Sequence, residues 1–179
     1  MRFDNRRRSQ GGQALVELAI SVPVLLWLLL GAFDASVMVS DKVIAGYATR
    51  QGARLAAEIG GRETNPSATV ASVDQNIVRN VLAVAIAMNY STLQELDIYG
   101  PTHPNGVLNK ATDRYDQYDG SGVNQNGYPF DLQYREQIPP NETSIGVRLV
   151  WSYRPPTGFA SFSIQLTEFT VLRTAPVLA

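Results

Sequence analysis

An apolar stretch from Ala14 to Phe33 restricts most strongly what this chain can fold into. Its 20 residues contain one ionisable side chain, Glu17, and the next charge along the chain is Asp34. At ~1.5 Å per residue an α-helix of this length covers about the ~30 Å of a bilayer's hydrocarbon core. The sequence therefore predicts a transmembrane helix over residues 13–34.

Glu17 is the one residue in this stretch that opposes insertion. A carboxylate at mid-bilayer costs roughly 2.5–3.5 kcal/mol, whereas each Leu, Ile, Val or Phe contributes about 0.3–0.6 kcal/mol in favour. Twelve such residues lie between Leu15 and Phe33, so the net free energy of insertion is expected to be favourable. An ionisable group at membrane depth is a functional candidate, although Glu17 could also extend to the interface as a solvated side chain.

The charges on either side of the stretch predict its orientation. Residues 1–12 hold four arginines and one aspartate, whereas acidic residues outnumber basic ones in the rest of the chain. Basic residues flanking a span stay on the cytoplasmic side, so we expect a basic cytoplasmic leader at 1–12 and an extracytoplasmic C-terminal domain, held in the inner membrane by one pass. The polar leader is expected to be disordered. No basic stripe remains outside it, so nucleic acid is not an expected partner.

A cleaved secretory signal is the alternative for this N-terminus. The segment after the apolar run, residues 31–36, fits the small-x-small cleavage pattern poorly, and the run is longer than a usual signal core. We therefore favour a retained helix.

The helical pattern continues outside the predicted span, over residues 35–60. Apolar and small residues recur there at three- and four-residue spacing on one face, namely Ile44, Ala48, Gly52, Leu55 and Ile59. The many alanines and glycines would let another backbone approach closely. Gly60-Gly61 is expected to end the helix with a left-handed cap.

Two arginines of this extension, Arg50 and Arg54, are candidates for contacts with another subunit or with the globular domain. They lie four residues apart, a like-charge spacing that is slightly unfavourable on an isolated helix, and Glu58 can relieve Arg54. A solvated helix face is the alternative.

Residues 61–179 predict a small α+β domain. Asn65-Pro66 should start a second helix, whose apolar stripe from Val70 to Met88 ends in a segment, 81–88, expected to be buried all round. Strands are predicted at 92–99, 144–154 and 162–174, the last with a bulge near Thr167 and Glu168. Residues 100–143 are rich in Asn, Asp, Gly, Pro and Tyr and are expected to form a long polar surface loop. The fold class is thus α+β, with a long N-terminal transmembrane helix extending outward, a second helix and a small antiparallel sheet.

A leader ending in glycine, followed by an apolar helix with a glutamate at its fifth position, resembles the prepilin-type signal of type IV pilins. The residues are Gly12-Gln13-Ala14-Leu15-Val16-Glu17. With Pro23, Gly31, Asp34 and the segment 48–57, the chain resembles more closely the TadE-like family of minor pseudopilins from tight-adherence pilus systems. The segment 170–176 is similar to the way such domains often end.

The resemblance implies a pilin-like fold and a set of partners. Gly12 would precede the bond cut by a prepilin peptidase, and Gln13 would become the first residue. Glu17 would pair with the amino terminus of a neighbouring subunit. The partners would be other pilin-like subunits and the assembly machinery, in the inner membrane or at the cell surface. Asp34 marks the outer end of the span and is a candidate for subunit interaction through helix packing, with a solvated interfacial residue as the alternative.

The sequence lacks the residues that most catalytic and metal sites need. It has no cysteine and a single histidine, His103, and neither a glycine-rich phosphate loop nor a nucleophile elbow. Glu136 and Glu142 fit ordinary surface acids. Three aspartates recur at three-residue spacing, unlike a calcium loop, namely Asp113, Asp116 and Asp119. We expect no enzyme, cofactor or metal. The two remaining hypotheses are a processed minor pilin and an unprocessed single-pass envelope protein whose outer domain binds a partner.

Overall fold

The computed structural model describes residues 6–64, 67–158 and 162–176. Two helices and four strands follow one another along the chain: α1 (Arg6–Ile59), α2 (Val70–Ala85), β1 (Ser91–Gly100), β2 (Arg114–Asp119), β3 (Ser144–Tyr153) and β4 (Ile164–Arg173). The predicted α+β fold, with a long N-terminal helix, a second helix and an antiparallel sheet, is confirmed.

Helix α1 joins the predicted span and its extension in one element. It has 54 residues, with Pro23 in its interior, and is therefore about 80 Å long. The expectation of a disordered leader is wrong for Arg6–Gly12, which are helical, while residues 1–5 lie outside the described part. Arginine and glutamine favour helix, and adding residues to an existing helix avoids the cost of nucleation.

The C-terminal half of α1 packs against the rest of its own chain. Its alanines at 45, 48, 53 and 56 are fully buried. A Cβ added at Gly52 would lie 2.3 Å from a methyl carbon of Val81 in α2 and 3.3 Å from one of Val147 in β3. The small residues do permit a close approach, and the elements that approach are α2 and β3 of the same chain.

The two glycines that follow α1 lie where neighbouring atoms leave no room for a side chain. Neither has a positive φ, so the predicted left-handed cap is wrong. The Gly60 amide donates to the Ala56 carbonyl over 2.8 Å, and a Cβ on Gly60 would lie 2.1 Å from that oxygen. A Cβ on Gly61 would lie 2.0 Å from the side chain of Gln137.

Helix α2 begins later than the sequence suggests. Thr69 is its N-cap, with its hydroxyl accepting from the Ser72 amide at 3.3 Å, and the predicted start at Asn65-Pro66 lies outside the described residues. The apolar stripe is confirmed, because its residues are buried or packed against the core. The expectation that 81–88 is buried all round is wrong, since Ile86 is 83% exposed. Only one side of α2 meets α1 and the sheet.

The sheet is antiparallel, with strand order β2-β1-β3-β4. The predicted strands 92–99 and 144–154 correspond to β1 and β3. In β3 the alternate apolar side chains predicted for one face are all buried against the helices: Ile145, Val147, Leu149, Trp151 and Tyr153. The core therefore lies between the sheet and the two helices.

Strand β4 shows why its apolar residues change phase. It pairs with β3 without interruption, so the predicted bulge near Thr167 and Glu168 is wrong, and the irregularity of the sheet lies in β1 between Leu93 and Glu95. Glu168 faces α1 and contacts Lys42 at 3.5 Å. Val171 and Phe169 lie on the opposite face, where Gly106 packs against them. Phe169 and Val171 are apolar because the segment at Gly106 covers the second face there, while α1 still meets the first face at Thr170, 3.1 Å from Thr49.

The polar segment 100–143 is more ordered than a surface loop. It contains β2, which pairs with β1 from Glu95 opposite Asp119 to Gly100 opposite Arg114, and a 3₁₀ turn at Leu132–Tyr134. The prediction of one long loop is wrong here, because Asp116 and Tyr118 in β2 are buried by polar contacts that an apolar pattern does not reveal.

Candidate functional site along the long helix

The N-terminal half of α1 makes little contact with the rest of the described protein. Its apolar side chains are exposed on every side, from Leu15 at 68% to Leu28 at 69% and Phe33 at 54%. A stretch of 18 residues in this helix has a mean hydropathy of 2.2 and is 0% buried. It is the one helix among the described residues that is long and apolar enough to span a membrane. A core helix of a soluble protein would be covered, so this half needs a lipid or protein environment.

Gln13 and Glu17 lie one turn apart near the start of this apolar half. The Gln13 side-chain amide donates to a Glu17 carboxylate oxygen at 3.0 Å, and both residues are exposed. Apart from the backbone of α1 itself, a Cβ at Gly12 would have no atom of the described residues within 4 Å. Among the side chains that the structure describes, no cation contacts Glu17. Within the described side chains, the Glu17 carboxylate thus has one hydrogen-bond partner, the Gln13 amide, and the rest of it is exposed.

Asp34 lies where α1 leaves its apolar run, and it binds the globular domain. Its carboxylate accepts hydrogen bonds from the Thr157 hydroxyl at 2.6 Å and the Thr157 amide at 3.3 Å. Its main-chain carbonyl accepts from the Tyr153 hydroxyl at 2.7 Å. Burial, together with the charges of Asp34 and Asp41, raises the pKa of Tyr153, which keeps the phenol a donor. The geometry is that of a helix-packing residue, and the sequence carried no signal for Tyr153 or Thr157.

The side of the extension that faces away from the domain carries both candidate arginines. Arg50 and Arg54 are exposed. Arg54 contacts Glu58 at 2.9 Å, as the sequence suggested, while Arg50 has no ion-pair partner within the described residues. Three exposed apolar residues lie on the same side of α1, between these arginines and the apolar N-terminal half, namely Val39, Val43 and Tyr47. We call these five residues the outer stripe of α1.

The predicted site residues form a line and do not converge. Glu17 and Asp34 are 17 residues apart on one helix, or about 25 Å, and Arg50 is about 24 Å beyond Asp34. Contacts over such a line suit another elongated surface better than a small molecule.

The three aspartates weighed as calcium ligands also point to different places. Asp113 accepts from the Asn109 amide at 2.8 Å, and Asp119 accepts from the Ser121 amide at 2.9 Å. Asp116 is buried beside Arg135. Within the described ranges, no group of three or more His, Asp or Glu side chains could hold a metal ion.

A buried ionic cluster, which the sequence did not reveal, joins three separate segments. Arg135 is 0% exposed and donates to both carboxylate oxygens of Asp74, at 2.5 and 3.1 Å, and to Asp116 at 2.8 Å. The Tyr118 hydroxyl donates to Asp74 at 2.9 Å, and the Phe130 amide donates to Asp116 at 2.9 Å. The cluster connects α2, β2 and the segment after it.

A second ionic group lies on the sheet face away from the helices. Asp97 is fully buried and accepts from Arg148 at 2.7 Å, while Arg148 also pairs with Glu95. Burial and the neighbouring Glu95 raise the pKa of Asp97 to about 6. In the first cluster, burial and the charge of Asp74 raise the pKa of Asp116 to about 7.

These raised pKa values predict that the domain loses stability as the pH rises from about 4.5 to 7.5. In this window Asp116 and Asp97 still hold protons in the folded protein. In the unfolded chain, where the pKa of these carboxyls is 3.8, the same protons have been released. Each increase in pH therefore favours the unfolded state. The Tm of the full chain in detergent micelles should be higher at pH 5 than at pH 8. Asp116→Asn should reduce the difference, because an amide at this position neither binds nor releases a proton in this pH range. A Tm that increases with pH would contradict the assignment.

Comparison with known proteins found one family model that matches part of this chain. The model, described as TadE-like protein, matches residues 12–54. They comprise the uncovered apolar N-terminal half of α1, which we call its bare half, and most of the half that packs against the domain. All six candidate residues, from Gly12 to Arg54, lie inside the match, and the resemblance suspected from the sequence is confirmed over this segment. No match was found among curated proteins or among solved structures. The matched segment and the uncovered apolar helix fit a pilin-like envelope protein anchored in a membrane.

Proposed function

We propose that this protein is a minor pilin-like subunit, a pseudopilin, of a tight-adherence pilus system. It would act as a structural or initiating component that joins the assembly through α1, and not as an enzyme. The observation that supports this most is the position of the TadE-like match, residues 12–54. The match falls on the part of α1 that combines an uncovered apolar surface with an acidic residue at its start.

We propose further that α1 crosses the inner membrane once, with the N-terminus in the cytoplasm and the sheet domain outside it. The arginines of the leader support this orientation, because basic residues are retained on the cytoplasmic side.

Cleavage by a prepilin peptidase after Gly12 is the second part of the proposal. The Gly12–Gln13 bond lies inside α1, whereas a protease needs a locally opened backbone. Two consecutive glycines, Gly11 and Gly12, support such an opening, since each lowers helix stability by about 1 kcal/mol relative to alanine. Outside the backbone of α1 itself, no atom of the described residues lies within 4 Å of a Cβ placed on Gly12, which leaves room for an enzyme.

Glu17 would then recognise the amino terminus of a neighbouring subunit. Its carboxylate has only the Gln13 amide as a partner among the described side chains, and in hydrocarbon a charged group is stable when it is paired. The ammonium group created by cleavage supplies that countercharge within the same membrane layer.

Intact-mass measurement of the protein extracted from membranes tests the processing step. We expect a chain that begins at Gln13, and a Gly12→Leu variant should retain Met1, because a bulky side chain that favours helix replaces the small residue before the bond. A wild-type chain that begins at Met1 would instead support the alternative of an unprocessed single-pass envelope protein. The helical backbone around Gly12 is the observation that favours this alternative.

A further inference from the structure

An apolar crevice separates α1 from the end of β3 and the start of β4, at the end of the domain nearest the bare half of α1. Its volume is about 310 Å³, with Trp27, Gly31, Ala35 and Met38 on the helix wall and Phe162 and Ile164 on the other. The one charged residue in its lining is Asp34, whose carboxylate already accepts two hydrogen bonds from Thr157. The crevice therefore offers almost only hydrocarbon surface.

The position of this crevice along α1 follows from the contacts that hold the start of β4 near Asp34. Ile164 pairs with Tyr153 in the sheet, and the Tyr153 hydroxyl binds the Asp34 carbonyl, so the start of β4 is level with Asp34. Phe162 precedes Ile164 by two residues, which span at most about 7 Å. Trp27 lies about 10 Å before Asp34 along the helix. Because Phe162 and Trp27 line the same crevice, Phe162 lies beside the last turns of the apolar run.

The surroundings of Phe162 indicate what covers it. Phe162 is 53% exposed and Trp27 is 64% exposed, and exposed apolar residues of α1, such as Leu28, continue the same surface toward the leader. If α1 spans a bilayer, its surface at this level is covered by acyl chains, and Phe162 lines one crevice with Trp27 of that surface. Aromatic side chains are also favoured where hydrocarbon meets the headgroups.

We propose that Phe162, just before β4, enters the membrane leaflet on the domain's side, and that an acyl chain of a bilayer lipid fills the crevice between it and α1. The domain would thus have a second membrane contact besides the helix, centred on Phe162. This inference rests on the membrane span of the proposed function, and not on cleavage or pilus assembly.

Spin labelling of single cysteines can test this directly, because the natural chain has no cysteine. The full chain would be placed in phosphatidylcholine and phosphatidylglycerol vesicles, with the label at Phe162→Cys, Leu28→Cys or Ile138→Cys. Collision rates with oxygen, which concentrates in hydrocarbon, would be compared with those of a water-soluble nickel complex. Ile138 is the matched control, because it is apolar and 43% exposed but adjoins Gln137, which packs on Gly61 beyond the far end of α1. Tryptophan emission of each labelled variant, compared with that of the unchanged chain, would verify folding.

We expect the ratio of oxygen to nickel collisions to be several-fold higher at positions 162 and 28 than at position 138. A label at 162 that is open to nickel, while the label at 28 is not, would overturn the membrane contact of Phe162 and leave the span intact. A label at 162 that is protected from both reagents would also overturn it, because protein rather than lipid would cover the crevice. Labels at 28 and 162 that are both open to nickel would reject the span and, with it, the membrane part of the proposed function.

Discussion

Replacement of Arg135 by methionine is expected to destabilise the domain by about 3–5 kcal/mol, because it leaves buried carboxylates without their cation. The Arg135 guanidinium is fully buried between Asp74 and Asp116. Its Nε also donates to the Phe130 carbonyl at 2.9 Å. A methionine fills much of the space of the arginine stem but offers none of these donors.

Urea denaturation of the full chain in micelles, followed by Trp151 emission in a Trp27→Phe background, measures this effect. Arg54→Met is the matched control, since it removes an exposed ion pair with Glu58 and should change stability by no more than about 0.5 kcal/mol. Adding Asp74→Asn and Asp116→Asn to Arg135→Met should restore part of the loss if unpaired charge causes it. A loss below about 1 kcal/mol for Arg135→Met would show that the cluster does not hold the domain together.

Glu17→Ala is expected to abolish pilus production while leaving the protein in the membrane. Removal of a carboxylate from an apolar segment makes insertion more favourable, so the amount in the membrane fraction should not fall. The domain should also be unaffected, because within the described side chains Glu17 contacts only Gln13. What disappears is the acidic group available to a neighbouring amino terminus.

The measurement is the amount of pilus sheared from cells that carry the variant as their only copy, with the membrane fraction probed in parallel. Glu17→Asp, which keeps the charge, should retain part of the output, whereas Glu17→Gln, which keeps the shape and the contact with Gln13, should not. Normal output from Glu17→Ala would reject the role of Glu17, and equal output from Glu17→Gln and Glu17→Asp would reject charge as its basis.

The parts of the fold that the sequence predicted are those whose burial follows a regular period. The inward faces of α2 and β3 could be identified because their apolar residues recur every three to four or every two residues. Strand β2 could not, because its inward residues, Asp116 and Tyr118, are polar and become buried only when Arg135 supplies their partner. That partner lies 19 residues from Asp116, in a segment without periodicity.

The candidate residues were predictable to different degrees for a related reason. Gly12, Gln13 and Glu17 belong to a local pattern, which remains visible without a structure. The contacts of Asp34 join residues more than one hundred positions apart, so the sequence alone left its role open. For Arg50 and Arg54, the sequence identified the helix, and the structure adds that they lie on the side away from the domain.

The continuity of α1 has a mechanical consequence. No hinge separates the bare half from the half that packs against the sheet, and Asp34 binds Thr157 and Tyr153 where the two halves meet. If α1 spans a bilayer as proposed, any tilt of the helix at its junction with the domain therefore also tilts the domain. For an average tilt of about 20°, the far end at Ile59, about 38 Å beyond Asp34, is displaced sideways by roughly 13 Å.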